Sequence, residues 1–155
     1  MRGKRAKKRT IQPDSKYGSD LVTRFINKIM LHGKKDKAEA IFYKAVESAA
    51  KKVELSPLEF TEQVVNNIRP ALEIKARRVG GANYQVPVPV TPRRQETLAI
   101  RWIVDSVRAK SGAEFVTLLE KELLDAFNNT GEAVRKKEDT ERMAEANKAF
   151  AHFRW

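Results

Sequence analysis

Two prolines placed two residues apart in an extended stretch limit the sheet that this chain can form. Pro87 and Pro89 stand in the run YQVPVPV, and neither has a backbone N–H to donate to a neighbouring strand. Residues two apart in a strand direct their backbone nitrogens to the same side, so both prolines mark one edge that no third strand joins. Any sheet built here is therefore a two-stranded ribbon, which needs a supporting body or a partner.

The residues around these prolines predict a β-hairpin over about 72–90. Apolar residues alternate in both arms: Leu72, Ile74 and Ala76 share one face of the first, and Tyr84, Val86, Val88 and Val90 share one face of the second. Gly80, Gly81 and Ala82 form the turn. An arginine pair stands beside each end of the hairpin, at Arg77–Arg78 and at Arg93–Arg94. Such a hairpin is suited to contact phosphate.

Apolar residues at helical spacing predict six helices around the hairpin. The predicted helices run from Ser19–Asp20 to before Gly33, over 38–49 after the link Lys34–Lys35, from Ser56 to Arg69, from Thr91 to about Ser111, over 115–127, and from Glu132 to about Lys148. Ser56, Pro57 and Glu59 form a capping-box pattern, and Asn128, Asn129 and Gly131 close the fifth helix. The sequence therefore predicts one mainly α domain, with a protruding two-stranded antiparallel hairpin between helices three and four.

The fourth helix separates into two faces. Arg94, Arg101 and Arg108 lie seven residues apart and fall on one stripe, opposite an apolar stripe formed by Ala99, Ile100, Ile103 and Val107. This helix is expected to dock on the core and present cations outward. The sixth helix has few apolar residues beyond Val134, Met143 and Ala144, so it is expected to lie on the surface.

The positive charge is concentrated in two segments. The formal net charge is +11 over 155 residues. Residues 1–10 carry six basic groups and no acidic one, and residues 69–101 carry seven against Glu73 and Glu96, while the remaining segments are nearly neutral. This is the electrostatic footprint of a polyanion binder. The sequence therefore predicts a basic N-terminal arm over 1–18 and, over 19–155, a helical domain that binds a polyanion, RNA or DNA.

Several other functional classes are disfavoured by the residues present. There is no cysteine, and His32 and His152 are the only histidines. No metal-ligand cluster and no nucleophile–base pair occurs at a recognisable spacing, and the Gly80–Gly81 pair lacks the Lys and Ser/Thr of a P-loop. No apolar run approaches the roughly 18 residues of a membrane span. We therefore expect an intracellular, soluble protein that is not an enzyme and has no metal or cofactor.

Two aromatic features have more than one interpretation. Tyr84 can pack within the hairpin or stack on a base. The C-terminal run AFAHFRW can stack on exposed bases or be buried against the body. The tail at residues 1–10 favours a segment that becomes ordered along a phosphate backbone, although a solubilising charge run has the same composition.

Four blocks of sequence together resemble the bacterial small-subunit ribosomal protein seven family. They are HGKK at 32–35, RPALEIKARRVGGANYQVPVPV at 69–90, RW at 101–102 and RMAEANKAFAHFRW at 142–155. The resemblance covers nearly the whole chain and implies a helical protein with a protruding β-hairpin. It also implies a structural constituent of the small ribosomal subunit, in the cytoplasm, that binds the 3′ major (head) domain of small-subunit rRNA and nucleates its assembly.

The resemblance further implies sets of contact residues. The rRNA-facing residues would be Arg2, Lys4, Arg5, Lys7, Lys8, Arg9, Lys34, Lys35, Lys75, Arg77, Arg78, Arg93, Arg94, Arg101 and Arg108. Near the decoding centre, the residues close to exit-site tRNA and mRNA would be Gly80, Gly81, Ala82, Asn83, Tyr84, Arg142, Lys148, Arg154 and Trp155. Neighbouring ribosomal proteins, including small-subunit protein eleven, would be further partners.

Two other functions fit the residues less completely. An architectural DNA-binding protein could use a proline-bearing β-ribbon arm to grip a groove and bend the duplex. A protein-interaction module could use the basic segments to dock on acidic partners. The first would bind duplex DNA at least as well as folded RNA, and the second would bind neither in a salt-sensitive way.

Overall fold

The computed structural model describes Gly3 and residues 10–153. The elements follow the chain in the order α1 (Asp20–Ile29), α2 (Lys35–Lys52), α3 (Pro57–Ile68), β1 (Leu72–Val79), β2 (Ala82–Pro89), α4 (Pro92–Ala109), α5 (Phe115–Phe127) and α6 (Glu132–Ala146), followed by a C-terminal 3-10 helix (Lys148–Phe153). The prediction of one helical domain with a hairpin between the third and fourth helices is confirmed.

The core is formed by the apolar faces of α1 to α5 that helical spacing predicts, together with Ala133 and Val134 of α6. Phe25, Phe42 and Phe60 are fully buried, one on each of the first three helices. Ile103 of α4 and Leu119 of α5 complete the same cluster without exposed surface. Burial of side chains this large supplies most of the driving force for folding.

Local signals set most helix boundaries, and the structure differs from the prediction at several of them. Ser56 caps α3 as predicted, because its Oγ accepts from the Glu59 N–H at 3.3 Å and donates to the Glu59 carboxylate at 2.6 Å. Ser19 occupies the N-cap position of α1, but its side chain makes no cap hydrogen bond. Helix α2 already begins at Lys35, and α6 ends at Ala146, where the predicted helix continued to Lys148.

The hairpin is a two-stranded sheet in the described part of the chain, as the prolines require. Its register pairs Leu72 with Pro89 and Arg78 with Asn83. Because directly opposed residues share a face, the apolar stripe of β1 and that of β2 lie on opposite faces of the ribbon. Each face therefore needs its own cover.

Helix α6 and the 3-10 helix supply part of that cover. The backbone N–H of Ala71 donates to Glu141 Oε1 on α6 at 3.0 Å, and the Tyr84 ring packs against the rings of Phe150 and Phe153. Helix α6 is largely exposed, as predicted, and Met143 is half-exposed. The polar sixth helix thus braces the hairpin base against the body.

Candidate nucleic-acid interface

The hairpin base carries a carboxylate between two cations. Glu73 Oε1 lies 3.0 Å from Lys75 Nζ, and Glu73 Oε2 accepts from Arg94 Nε at 3.2 Å. Burial raises the pKa of Glu73, but the two cations outweigh it, so this pKa lies below its ordinary value. Together with Pro89 and Thr91 these side chains line a pocket of about 280 Å³. A charged carboxylate therefore fixes two predicted rRNA contacts, Lys75 and Arg94, side by side.

A groove between α1 and α4 holds the second group of cations. It has a volume of about 280 Å³ and is lined by Ile11, Arg24, Asn27, Lys28, Thr97, Ile100 and Arg101. Arg24 is paired with Glu96, and Lys28 Nζ lies 3.0 Å from Asp105 Oδ1. Arg101 is exposed and has no ion-pair partner among the described residues. We name this feature the α1–α4 groove.

Glu96 lies between these two features and also holds two cations. Its Oε1 accepts from Arg69 Nη2 at 2.6 Å, and its Oε2 accepts from Arg24 Nη2. Arg69 follows α3 and Arg24 belongs to α1, so one carboxylate on α4 ties three helices together. Both acidic residues of the basic segment 69–101 are thus centres of cation pairs.

The remaining arginines of α4 have different surroundings. Arg93 is exposed and has no ion-pair partner within the described residues. Arg108 Nη2 donates to the carbonyls of Lys28 at 3.0 Å and Ile29 at 3.2 Å, which are the last carbonyls of α1. A cation at a helix C-terminus interacts favourably with the negative end of the helix dipole. Arg108 therefore stabilises the end of α1 through Nη2.

The hairpin tip is exposed and built on two left-handed glycines. Gly80 has φ +57° and Gly81 has φ +89°, backbone conformations that residues other than glycine rarely adopt. Gly80, Gly81, Ala82 and Asn83 are all exposed. Arg78 is exposed opposite Asn83, and Arg77 is half-buried opposite Tyr84. The tip presents backbone and short side chains beside arginines.

Tyr84 belongs to an aromatic cluster with the C-terminal 3-10 helix. Its ring centroid lies 5.2 Å from that of Phe150 and 4.9 Å from that of Phe153, and His152 packs on Phe153 at 4.1 Å. Tyr84 thus packs on rings of the C-terminal 3-10 helix and not only within the hairpin, and stacking on a base stays a prediction. The same contacts place Phe150 and Phe153 against the hairpin.

The loop between α1 and α2 displays a third group of cations. His32 and Gly33 have φ of +53° and +73°, which reverses the chain before α2. Lys34 and Lys35 follow and are exposed, and Lys35 Nζ lies 3.4 Å from Glu39 Oε1. Leu31 lies in the same loop and has 58% of its surface exposed to solvent.

The predicted contacts near tRNA and mRNA lie partly on α6. Arg142 and Lys148 are exposed and pair locally with Asp139 and Glu145. Arg154 and Trp155 lie outside the described residues, as do Arg2, Lys4, Arg5, Lys7, Lys8 and Arg9.

A polar cluster holds the segment that follows the basic tail. Asp14 Oδ2 accepts from the N–H groups of Lys16 at 3.0 Å and Tyr17 at 2.9 Å, and Asp14 Oδ1 accepts from the Tyr43 hydroxyl at 2.6 Å. Tyr17 Oη donates to Glu47 at 2.9 Å. Packing on the body therefore begins before Ser19, and a separate arm over 1–18 stays a prediction.

Among the residues that the structure describes, no three His, Cys, Asp or Glu side chains are placed to hold a metal ion. None of the described helices has the length and hydropathy needed to cross a membrane.

Comparison with known proteins decides the family. Residues 1–148 match the model of the family described as Ribosomal protein S7p/S5e. The chain belongs to this family. Small ribosomal subunit protein uS7 of Natranaerobius thermophilus is 56% identical over 150 residues, covering 97% of this chain and 96% of the relative. The uS7 proteins of Thermomicrobium roseum and Thermosipho melanesiensis are 54% and 52% identical, the second over the full length of both chains.

Membership of the S7p/S5e family confirms the predicted identity and the general function. The chain is a structural protein of the small ribosomal subunit and acts in the cytoplasm as part of the ribosome. The family is a structural class of ribosomal proteins rather than a class of enzymes.

Sequence reasoning missed several residues that organise the surface of this S7p/S5e family member. Glu73 and Glu96 entered the prediction only through the net charge of residues 69–101. They are the only acidic residues of that segment, beside seven Lys or Arg residues, and this isolation was the available signal that they hold the cations. Asp14, Tyr17 and Tyr43 carried no comparable pattern, because their contacts join residues about 30 positions apart.

Proposed function

We propose that this chain binds the folded 3′ major (head) domain of small-subunit rRNA directly and nucleates its assembly. The observation that supports this most is the arrangement along α4. The Lys75–Arg94 pair at the hairpin base and the α1–α4 groove both use residues of α4, so cations from α1, β1 and α4 form neighbouring features. A surface built from separate elements suits a folded RNA better than a straight duplex.

The contacts would be made mainly to phosphates and 2′-hydroxyls. A-form RNA hides its major groove from side chains, so arginines and lysines recognise backbone geometry across a junction. Lys34, Arg78, Arg93 and Arg101 are accessible predicted contacts, since each is exposed without an ion pair among the described residues. Lys35 and Arg77 extend the same set. The contacts predicted for Arg2, Lys4, Arg5, Lys7, Lys8 and Arg9 complete it, and Arg108 would combine RNA contact with its role at α1.

The second part of the proposal concerns the hairpin tip and the C-terminal region. Gly80, Gly81, Ala82 and Asn83 would lie toward exit-site tRNA and mRNA near the decoding centre, where a tip of short residues allows close backbone approach. Arg142, Lys148, Arg154 and Trp155 would lie on the same side, together with small-subunit protein eleven. Tyr84 would act there by packing against the C-terminal 3-10 helix. None of these residues would have a catalytic role.

A competition titration tests the proposal. The purified chain is bound to labelled folded head-domain rRNA at roughly 0.3 M monovalent salt, with equal masses of scrambled RNA or duplex DNA as competitors. We expect the folded rRNA to be retained against both. Equal competition by duplex DNA would overturn the proposal in favour of an architectural DNA-binding role.

A double variant locates the contacts. Changing Arg77 and Arg78 together to Ala is expected to weaken rRNA binding and to reduce the magnitude of the log-log salt slope by about 1 to 2, because up to two phosphate contacts are lost. The matched control changes Lys51 and Arg135, two exposed cations outside the predicted contact set, to Ala. Unchanged affinity in the Arg77/Arg78 variant, or equal loss in the control, would refute the assignment.

A further inference from the structure

We infer that Glu73 and Glu96 are positioning residues for RNA recognition, which hold pairs of cations in a fixed arrangement and so increase discrimination although they reduce the net positive charge. This inference rests on the proposed rRNA binding. It assigns a role in RNA recognition to two acidic residues, although RNA is itself negatively charged.

The hydrogen bonding of both carboxylates supports this role. Each oxygen of Glu73 has its own cation, Lys75 Nζ on Oε1 and Arg94 Nε on Oε2. The same holds for Glu96, with Arg69 on Oε1 and Arg24 on Oε2. Two carboxylates therefore connect four cations, and each group of three keeps a net charge of +1.

Burial distinguishes these carboxylates from ordinary surface ion pairs. The side chain of Glu73 is 12% exposed and that of Glu96 is 20% exposed, whereas Lys75 and Arg94 expose 49% and 43% of theirs. At the hairpin base the anion is thus on the inside and the cations are on the outside. A ligand approaching from solvent meets the cations first.

The free donors of Arg94 provide the chemistry. Glu73 uses only Nε of Arg94, whose side chain is 43% exposed, and no described residue bonds its two Nη groups. A guanidinium held at Nε has lost most of its rotational freedom before RNA arrives, so less entropy is lost when its Nη groups bind a phosphate. Lys75, held on the other oxygen, places a second positive charge beside it.

A purely electrostatic role and a positioning role for Glu73 predict different effects of Glu73→Gln on RNA binding. Glu73→Gln adds one positive charge, so a purely electrostatic interface would bind every RNA more tightly. If Glu73 positions Lys75 and Arg94, the preference for folded rRNA over scrambled RNA falls instead. We expect this ratio to fall about fivefold to tenfold, with affinity for scrambled RNA unchanged or higher. Glu96→Gln should give a smaller fall, because the side chains of its partners Arg24 and Arg69 are only 20% and 33% exposed.

A matched control removes the contribution of charge alone. Glu132→Gln makes the same charge change on an exposed carboxylate that has one distant partner, Arg135 at 4.0 Å. It should leave the ratio unchanged. Glu73→Asp keeps the charge but shortens the side chain, and should give an intermediate ratio. Thermal unfolding of each variant shows whether it is folded under the binding conditions.

A double-mutant cycle shows whether Glu73 acts through its partners. In a chain that already carries Lys75→Ala and Arg94→Ala, Glu73→Gln should have no further effect on the ratio. Nitrogen-15 relaxation of the Arg94 Nε–H in the free protein adds a readout that needs no RNA, and Glu73→Gln should make this group more mobile.

The outcomes separate the inference from the proposed function. A wild-type chain without preference for folded rRNA overturns the proposed function, and the inference with it. A wild-type preference that Glu73→Gln and Glu96→Gln leave intact, or increase, overturns the inference alone. A reduced ratio that also appears in Glu132→Gln overturns it as well, because charge alone then explains the result.

Discussion

The helical body and the β-hairpin of this chain are stabilised by different kinds of contact. The body has a continuous apolar core in which Phe25, Phe42 and Phe60 have no exposed surface. In the hairpin strands, Val86 and its neighbour Pro87 are buried, and the apolar stripes of the two strands face opposite ways. Apolar burial stabilises the body cooperatively, while the position of the hairpin depends on a few polar and aromatic contacts.

This difference has a functional consequence. Contacts that help to hold the hairpin are those of Glu73 with Arg94, Glu141 with the Ala71 N–H, and Tyr84 with the C-terminal rings. None of these residues belongs to the apolar core cluster. Substitutions in the body should therefore change global stability, and substitutions around the hairpin should change local order and RNA recognition.

The largest effect is expected in the body. Phe60→Ala removes a fully buried ring that packs 5.5 Å from Phe127, and should lower the free energy of unfolding by about 3–5 kcal/mol. Urea unfolding followed by helical circular dichroism measures this loss. Leu31→Ala, at an exposed leucine, is the control and should change it by less than about 0.5 kcal/mol. Similar losses in both variants would contradict the assignment of the core.

Two glycines with nearly equal φ angles allow the body and the hairpin to be compared directly. Gly131 has φ +94°, and a Cβ there would lie 3.0 Å from Asp125 Cβ and 3.2 Å from Glu122 Oε1, whereas Gly81 has φ +89° with nothing within 4 Å. Both Ala variants carry backbone strain of about 1–2 kcal/mol, and only Gly131→Ala adds a clash. Thermal unfolding should therefore show a larger loss for Gly131→Ala. Equal losses would mean that the body yields as easily as the hairpin tip.

The body could be predicted from the sequence because its signals are local. Helical spacing places Phe25, Phe42 and Phe60 on inward faces, and Ser56 with Glu59 marks a helix start within four residues. The hairpin could be predicted from equally local signals, namely the alternation of apolar residues and the glycine turn. Pro87 and Pro89 further limit the sheet to two strands.

The attachment of the hairpin could not be predicted, because its contacts join distant parts of the chain. Tyr84 meets Phe150 and Phe153 across more than 60 residues. The register that sends the two apolar stripes to opposite faces is set by the turn, and neither strand records it alone. For the candidate interface, the cations could be located from the sequence, but the only signal for the carboxylates that hold them was the isolation of Glu73 and Glu96 among those cations.

A smaller, local effect is expected at the aromatic cluster. Tyr84→Ala removes ring contacts worth about 0.5–1.5 kcal/mol each and should loosen the hairpin and the 3-10 helix. Hydrogen exchange should speed up for amides of β1 and β2, while the core helices keep their protection. Tyr84→Phe retains the ring and should exchange like the wild type. Faster exchange throughout α1–α5 would show that the hairpin is not separable from the body.

The smallest effect concerns Asp14, whose polar contacts fix the N-terminal segment as polar contacts fix the hairpin. Burial raises the pKa of Asp14, but hydrogen bonds from Tyr43 and from the Tyr17 and Lys16 N–H groups outweigh it, so the folded-state pKa lies below the ordinary value. A depressed carboxyl pKa stabilises the fold above the unfolded-state value of about 4, and this contribution is lost as pH falls through the folded-state value.

Asp14→Asn should therefore be less stable than the wild type at pH 7, and this gap should close as the pH falls below about 4. Urea unfolding at a series of pH values measures the gap, with Asp36→Asn, at an exposed acid of α2, as the control. If the gap stays constant down to the lowest pH, its origin is the loss of an acceptor oxygen in the nearly isosteric Asn and not the loss of charge. The N-terminal segment would then be held by hydrogen bonds whose strength does not depend on the ionisation of Asp14.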